Sequence, residues 1–201
     1  MKVMFNKLRL TGAALSVMFL PVMTPKLQGQ EARDTFERTT IIVPEGTSDK
    51  AVLKNAPNPD IKINGENKKA VIVVVLEKNI LYKYDNEGRA ESAYMIASGK
   101  PSTPTDKGVR IVTHIENYPY RTAPRHTKRR RNPRAYGPNV ICVNKINPQS
   151  GEQSQTGEFI HGNNDSSSLG KYASNGCMRM DNEVIKKLSK EVKRGDIIII
   201  K

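Results

Sequence analysis

Residues 70–76 read Ala-Val-Ile-Val-Val-Val-Leu, an unbroken apolar run with five consecutive β-branched residues. Branching at Cβ stiffens χ1 and suits a pleated strand. A run that is apolar at every position, not every second one, must be covered on both faces. A chain that contains such a strand has to wrap it in further elements, and the sequence after it supplies mostly strands. Asn79 can turn the chain into Ile80-Leu81-Tyr82-Lys83-Tyr84, and Asp85-Asn86-Glu87-Gly88 carries hairpin-turn chemistry into a third strand over 90–97. Residues 109–113, 140–143 and 157–160 read as further strands, and Ile197 to Ile200 as a final buried one. Only Asn182 to Lys193 has helical spacing, with Val184, Ile185, Leu188 and Val192 on one face. Asp181 or Asn182 can cap its start, and Gly195 is the expected stop. The prediction is a mostly β domain of about 135 residues, a sandwich or partly closed barrel with one helix in its C-terminal region. That size supports one core without disulfide or metal.

The beginning of the chain reads differently. Lys2, Lys7 and Arg9 precede a mostly apolar stretch over 10–23, which is short for a membrane span of ~20 residues and suits a signal peptide. Residues 1–29 are therefore expected to be a signal peptide, with Gly29 before the cleavage point, or an N-terminal anchor. Either reading places the body of the protein outside the cytoplasm, in the periplasm or cell wall. Residues 30–65 are polar and punctuated by Pro44, Pro57, Pro59, Gly46 and Gly65, and read as a linker or N-terminal arm. The domain proper is expected over 66–201.

The formal charge is +13, and +9 remains without the four basic residues of the first thirty. Such a balance points to an anionic partner: cell-wall polymer, lipid headgroups or nucleic acid. The charge is concentrated in an insert over 116–139, where Arg121, Arg125, Lys128, Arg129, Arg130, Arg131 and Arg134 alternate with prolines and with Tyr118, Tyr120 and Tyr136. This insert reads either as a solvated loop or as a flap over a groove that also meets a membrane or wall surface. No helix-turn-helix, zinc-finger or RNP pattern accompanies it, so no specific nucleic-acid partner is expected.

The chemistry-bearing stretch is Ser174-Asn175-Gly176-Cys177-Met178-Arg179-Met180, with His161-Gly162 upstream. A thiol nucleophile needs a base within reach and small residues that leave the sulfur open. Cys177 is the candidate nucleophile and His161 the candidate base. Gly176 permits a tight backbone whose amides can face a developing oxyanion. The chain has one other cysteine, Cys142, within the strand-like Val140-Ile141-Cys142-Val143. In an oxidising compartment two cysteines suggest a disulfide, whereas the apolar context of Cys142 suggests core packing. His161, Cys177, His114 and Cys142 lack zinc-ligand spacing, and neither a metal nor a cofactor is expected.

These residues, in this order, resemble the L,D-transpeptidase catalytic domain, or YkuD domain. Ser174 to Met180 is similar to the family's S-H-G-C-hydrophobic-R-hydrophobic signature, with Asn175 where the family usually has His. Ile160-His161-Gly162 and Leu169-Gly170 resemble its I-H-G…L-G segment. Residues 97–100 and 103–108 resemble its S/T-G-K and T-P-x-G segments, 71–84 its opening hairpin, and 192–200 its closing strand. The resemblance implies a cysteine-dependent acyl transfer on peptidoglycan stem peptides through a thioester, with loss of terminal D-alanine. An amine acceptor gives a crosslink, and water makes the protein an L,D-carboxypeptidase. A non-catalytic wall-binding module is the alternative of a different class. The implied catalytic residues are Cys177, His161, Ser174 and Gly176. Substrate contacts are expected at Arg179, Asn175, Gly162 and Tyr136.

Overall fold

In the computed structural model, which describes residue 42 and residues 44–201, the apolar run forms the second half of a central strand. Strand β1 (Asp60–Ile63) pairs antiparallel with β2 (Glu66–Val75). Asn79, in the left-handed region at φ 50°, turns the chain from β2 into β3 (Ile80–Tyr84), which pairs antiparallel with β4 (Ala90–Met95). After the short β5 (Ser98–Gly99) come three long antiparallel neighbours, β6 (Gly108–Asn117), β7 (Asn139–Ile146) and β8 (Gln153–His161). Two short strands follow, β9 (Tyr172–Ser174) and β10 (Met178–Arg179), and the chain closes with β11 (Ile197–Ile200). The main sheet has the order β10-β8-β7-β6-β11-β2-β3-β4, with β1 also on β2. Its two ends do not meet, so the sheet is open, and β5 and β9 form a small second sheet.

The last strand lies between β6 and β2, parallel to β2 and antiparallel to β6. This interior place explains why both apolar runs lack alternation. Ile72, Val74, Ile198 and Ile200 face one core, which also takes Met178, Met180 and the apolar face of the helix. Val73, Ile197 and Ile199 face a second core with Tyr82, Tyr84, Val109 and Ile146. All four residues of β11 are buried. Burial of each such side chain is worth about 1.5–3 kcal/mol, so this strand pair is the main apolar anchor of the fold.

Among the described residues, three α-helical segments accompany the sheet, α1 (Lys50–Leu53), α2 (Lys128–Arg131) and α3 (Asn182–Glu191), besides short 3-10 turns. Asp181 caps α3, its carboxylate accepting from Glu183 N at 2.8 Å and Val184 N at 3.2 Å. The helix stops at Glu191, four residues before the expected glycine stop. Val192 leaves in an extended conformation and drops its side chain into the core, while Gly195 (φ 94°) serves the turn into β11.

Part of the stretch read as a linker, residues 30–65, is folded. Thr47 bridges Ala93 through hydrogen bonds of 2.8 and 3.0 Å, α1 lies against β4, and β1 extends the sheet. The reason is apolar: Ile42, Val52, Leu53 and Ile61 cover the second core, which would otherwise face water. The expected signal peptide or anchor over 1–29 lies outside the described residues. Among the described residues, no helix is long and apolar enough to cross a membrane.

Candidate active site

His161 is the last residue of β8, and the parallel pairing of β10 with β8 sets Arg179 beside it. The same pairing delivers Cys177 just before β10. The Ser174–Cys177 turn is tightly held. Ser174 Oγ donates to the Cys177 carbonyl at 2.5 Å and accepts from Gly176 N at 3.1 Å. Gly176 sits at φ 107°, which a side chain at Cβ would strain. Thr105 braces the turn from outside, its hydroxyl donating to the Gly176 carbonyl at 2.8 Å and accepting from Gly99 N at 2.9 Å. Lys100 N donates to the Ser174 carbonyl at 3.0 Å.

Cys177 opens into a cavity of about 450 Å³. His161, Ser174, Asn175, Arg179 and Tyr136 line it, as do Lys128 and Arg131 of α2. Seven of the eight residues expected at the site thus meet around one turn and one cavity. Gly162 does not line that cavity. It is buried where a Cβ would meet Asn182 Oδ1 at 2.4 Å and Pro138 Cδ at 2.7 Å, so it allows the insert to pack on the start of α3. Gly176 shapes the turn, but its N–H is engaged by Ser174 and is not free for an oxyanion.

His161 Nδ1 lies 2.6 Å from the Gly162 carbonyl oxygen. A carbonyl only accepts, so Nδ1 carries the proton and Nε2 keeps its lone pair. The Tyr136 ring lies 4.7 Å from the imidazole, centroid to centroid. Burial pushes the imidazole pKa down to about 4, with the charge of Arg179 acting in the same direction. Burial also pushes the Cys177 thiol above its ordinary range; Glu158 adds to this, while Arg179 and Lys128 oppose it. At neutral pH the resting pair is therefore thiol and neutral imidazole, not thiolate and imidazolium. Both cysteines are free thiols, which sets aside the Cys142–Cys177 disulfide; Cys142 packs with Tyr120, Ala123 and Val140.

A buried ion pair behind the site had no counterpart in the sequence reading. Arg110, fully buried on β6, donates to Glu158 Oε2 through Nη2 at 2.7 Å and Nε at 3.1 Å, and to the Asp106 carbonyl at 2.8 Å. Asp106 N donates to Glu158 Oε1 at 2.8 Å. The pair ties β8 to the loop that braces the cysteine turn. The clue was an Arg between Val109 and Ile111, where a strand buried on both sides admits a charge only with a partner.

The L,D-transpeptidase catalytic domain family, YkuD, matches residues 69–200. The catalytic domain of an Enterococcus faecium L,D-transpeptidase is 25% identical, over 66% of this chain and 97% of that one, with a TM-score of 0.45. Bd1075 of Bdellovibrio bacteriovorus is 23% identical, over 72% of this chain and 51% of that one, with a TM-score of 0.50. An L,D-transpeptidase from Mycobacterium tuberculosis is 16% identical, over 66% and 57% of the two chains, with a TM-score of 0.46. The chain thus spans about half the length of the latter two. No curated protein sequence matches it. With the family's domain matched from residue 69 to residue 200, well over half of the sequence, the chain belongs to the L,D-transpeptidase catalytic domain family.

Proposed function

We propose that the protein acylates Cys177 with a peptidoglycan stem peptide and passes the acyl group to an amine of a neighbouring stem. What supports this reading is one cavity that gathers a thiol, an imidazole whose Nδ1 is engaged by the Gly162 carbonyl, and a cationic wall. Cys177 Sγ attacks the carbonyl between the L-centre of the diamino acid and the terminal D-alanine. Because the resting thiol is protonated, His161 Nε2 removes the proton as the S–C bond forms, acting as general base and not as a pre-formed ion-pair partner. The same proton goes to the leaving D-alanine nitrogen as the C–N bond breaks. In the second half an acceptor amine attacks the thioester, its proton passes to His161, and the thiolate recovers a proton on leaving.

The backbone N–H groups of Cys177 and Asn175 are the remaining candidates for the oxyanion. One such donor is typically worth ~2.7–4 kcal/mol in the transition state. Ser174 acts by fixing the turn. Arg179, Lys128 and Arg131 meet the stem's carboxylates, and the planar guanidinium groups suit them bidentately. Tyr136 covers the imidazole and keeps water from it.

The test is purified disaccharide tetrapeptide followed by intact-protein and product mass. Wild type should show an acyl-enzyme lacking D-alanine and a crosslinked dimer, and folded Cys177→Ala should show neither. Product of tripeptide alone would make the protein a carboxypeptidase of the same bond. Binding to peptidoglycan with neither acyl-enzyme nor product would sink the reading in favour of a wall-binding module.

A further inference from the structure

Away from Cys177, β6 and β7 bring three metal-ligating side chains to one point. His114 and Glu116 are two apart on β6 and so share a face, and Cys142 on β7 is the cross-strand partner of His114. A ring nitrogen of His114, a carboxylate oxygen of Glu116 and Cys142 Sγ all lie within 4.8 Å of one another. A tetrahedral zinc site, with bonds of about 2.0–2.3 Å, holds its ligand atoms roughly 3.5 Å apart, so little closure is needed. The donors sit on long paired strands, which hold geometry better than loops do.

The protonation of His114 is arranged for a ligand. The ladder slips between Val112 and His114, leaving Thr113 as the extra residue of a bulge. Thr113 Oγ1 lies 3.1 Å from the Cys142 carbonyl and 3.0 Å from His114 Nδ1. The hydroxyl gives its only proton to the carbonyl, so its lone pair takes Nδ1–H. Nε2 is then left with its lone pair 3.2 Å from Glu116 Oε1. Two lone pairs at that separation call for a cation between them, a proton or a metal ion. An oxygen acceptor on the remote nitrogen of a histidine, the place Thr113 Oγ1 takes here, is the usual support of a metal-bound imidazole.

We propose that His114 Nε2, Glu116 Oε1 and Cys142 Sγ bind one divalent transition-metal ion of the zinc class, with water completing the coordination. Binding breaks the Cys142 S–H bond, forms the S–metal bond and releases one proton to solvent. Glu116 keeps Arg129 Nε on its other oxygen at 2.5 Å, while the ion displaces Arg129 Nη2 from Oε1, where it lies at 3.0 Å. Arg129 belongs to α2, and its neighbours Lys128 and Arg131 line the catalytic cavity, so occupancy reaches that wall directly.

The test uses full-length Cys177→Ala, in which Cys142 is the sole thiol of the chain. Titration with Co²⁺ should raise a near-ultraviolet thiolate-to-cobalt absorption band that saturates at one equivalent and disappears on adding Zn²⁺. His114→Ala, at a half-exposed position that leaves folding intact, should abolish the band. Thr113→Val should weaken binding by about tenfold or more. No thiolate band on the folded variant, or a band indifferent to His114→Ala, would overturn the site.

Discussion

The chemistry of the site turns on two residues that burial moves in opposite directions. Burial and Arg179 hold His161 at a pKa of about 4, and burial raises Cys177, so neither is charged at neutral pH. Simple alkylation by iodoacetamide needs no base and reads the thiolate alone. Its rate at Cys177 should climb through the alkaline range with a midpoint above the ~8.5 of a free thiol; a plateau across neutral pH would refute the neutral pair. Acylation by a stem peptide should behave otherwise, its acid limb lying near 4 and not near the ordinary histidine value of 6.5. His161→Gln should slow that acylation by about 10²–10⁴-fold yet leave alkylation at high pH unchanged. The depressed pKa also makes a stability statement. The unfolded chain takes up a proton near 6.5 that the folded one refuses, so stability should fall as pH drops below about 6.5 and on towards 4. Denaturant midpoints should follow that slope, and His161→Gln should flatten it. The sequence displayed the identities of both residues but not these shifts, because desolvation is a property of what packs over a group. Tyr136, twenty-five positions from His161, was expected at the site as a substrate contact, but its stacking over the imidazole had no local signal.

Among the elements, α2 carries the cationic wall and is tied to the sheet through Arg129. Arg129 donates to both oxygens of Glu116, whose side chain is 4% exposed, and its guanidinium stacks 4.9 Å from the Phe159 ring centroid. Removing the arginine takes the guanidinium from a buried carboxylate that keeps only His114 Nε2, 3.2 Å from Oε1, a loss of up to about 3–5 kcal/mol. Arg129→Ala should show it in chemical denaturation, and the double variant with Glu116→Gln should recover part of it. An additive pair of effects would mean that the contact does not hold the helix. In the sequence Arg129 was one of seven indistinguishable cations, because its partner lies thirteen residues away across a proline-rich turn. By contrast α3 was legible from its apolar spacing and its Asp181 cap, since both are local. Replacing that cap by Ala should cost about 0.5–2 kcal/mol. The end of α3 was misjudged because Val192 is drawn out of the helix by the core, a tertiary pull that overrides the glycine signal.

For the whole molecule, the strands could be read one by one but not their order. Placing Ile197–Ile200 between β6 and β2 joins the last residues of the domain to its first strands, and no local pattern encodes such a pairing. The pairing of β6 with β7 across the insert brings together His114, Glu116 and Cys142, whose spacing matches no linear zinc motif. Charge, however, survives folding in legible form. Among the described residues Arg121, Arg125, Lys128, Arg130, Arg131 and Arg134 have no carboxylate within salt-bridge distance, although the chain carries twenty acidic side chains. An unpaired cationic face on a chain of charge +13 attracts an anionic polymer at long range, and that attraction is screened by salt. Between about 0.1 and 1 M salt the screening length falls from ~10 to ~3 Å, so retention on purified sacculi should fall steeply over that interval. Arg121, Arg125, Arg130 and Arg134 stand outside the cavity wall. Their joint replacement by Gln should flatten the salt dependence while leaving acylation by a small soluble stem peptide within about twofold, since surface substitutions of this kind shift energies by under ~0.5 kcal/mol. An equal loss on the soluble peptide would instead place the outer arginines in the reaction itself. Retention insensitive to both salt and substitution would assign wall binding to apolar or hydrogen-bonding contacts elsewhere on the domain.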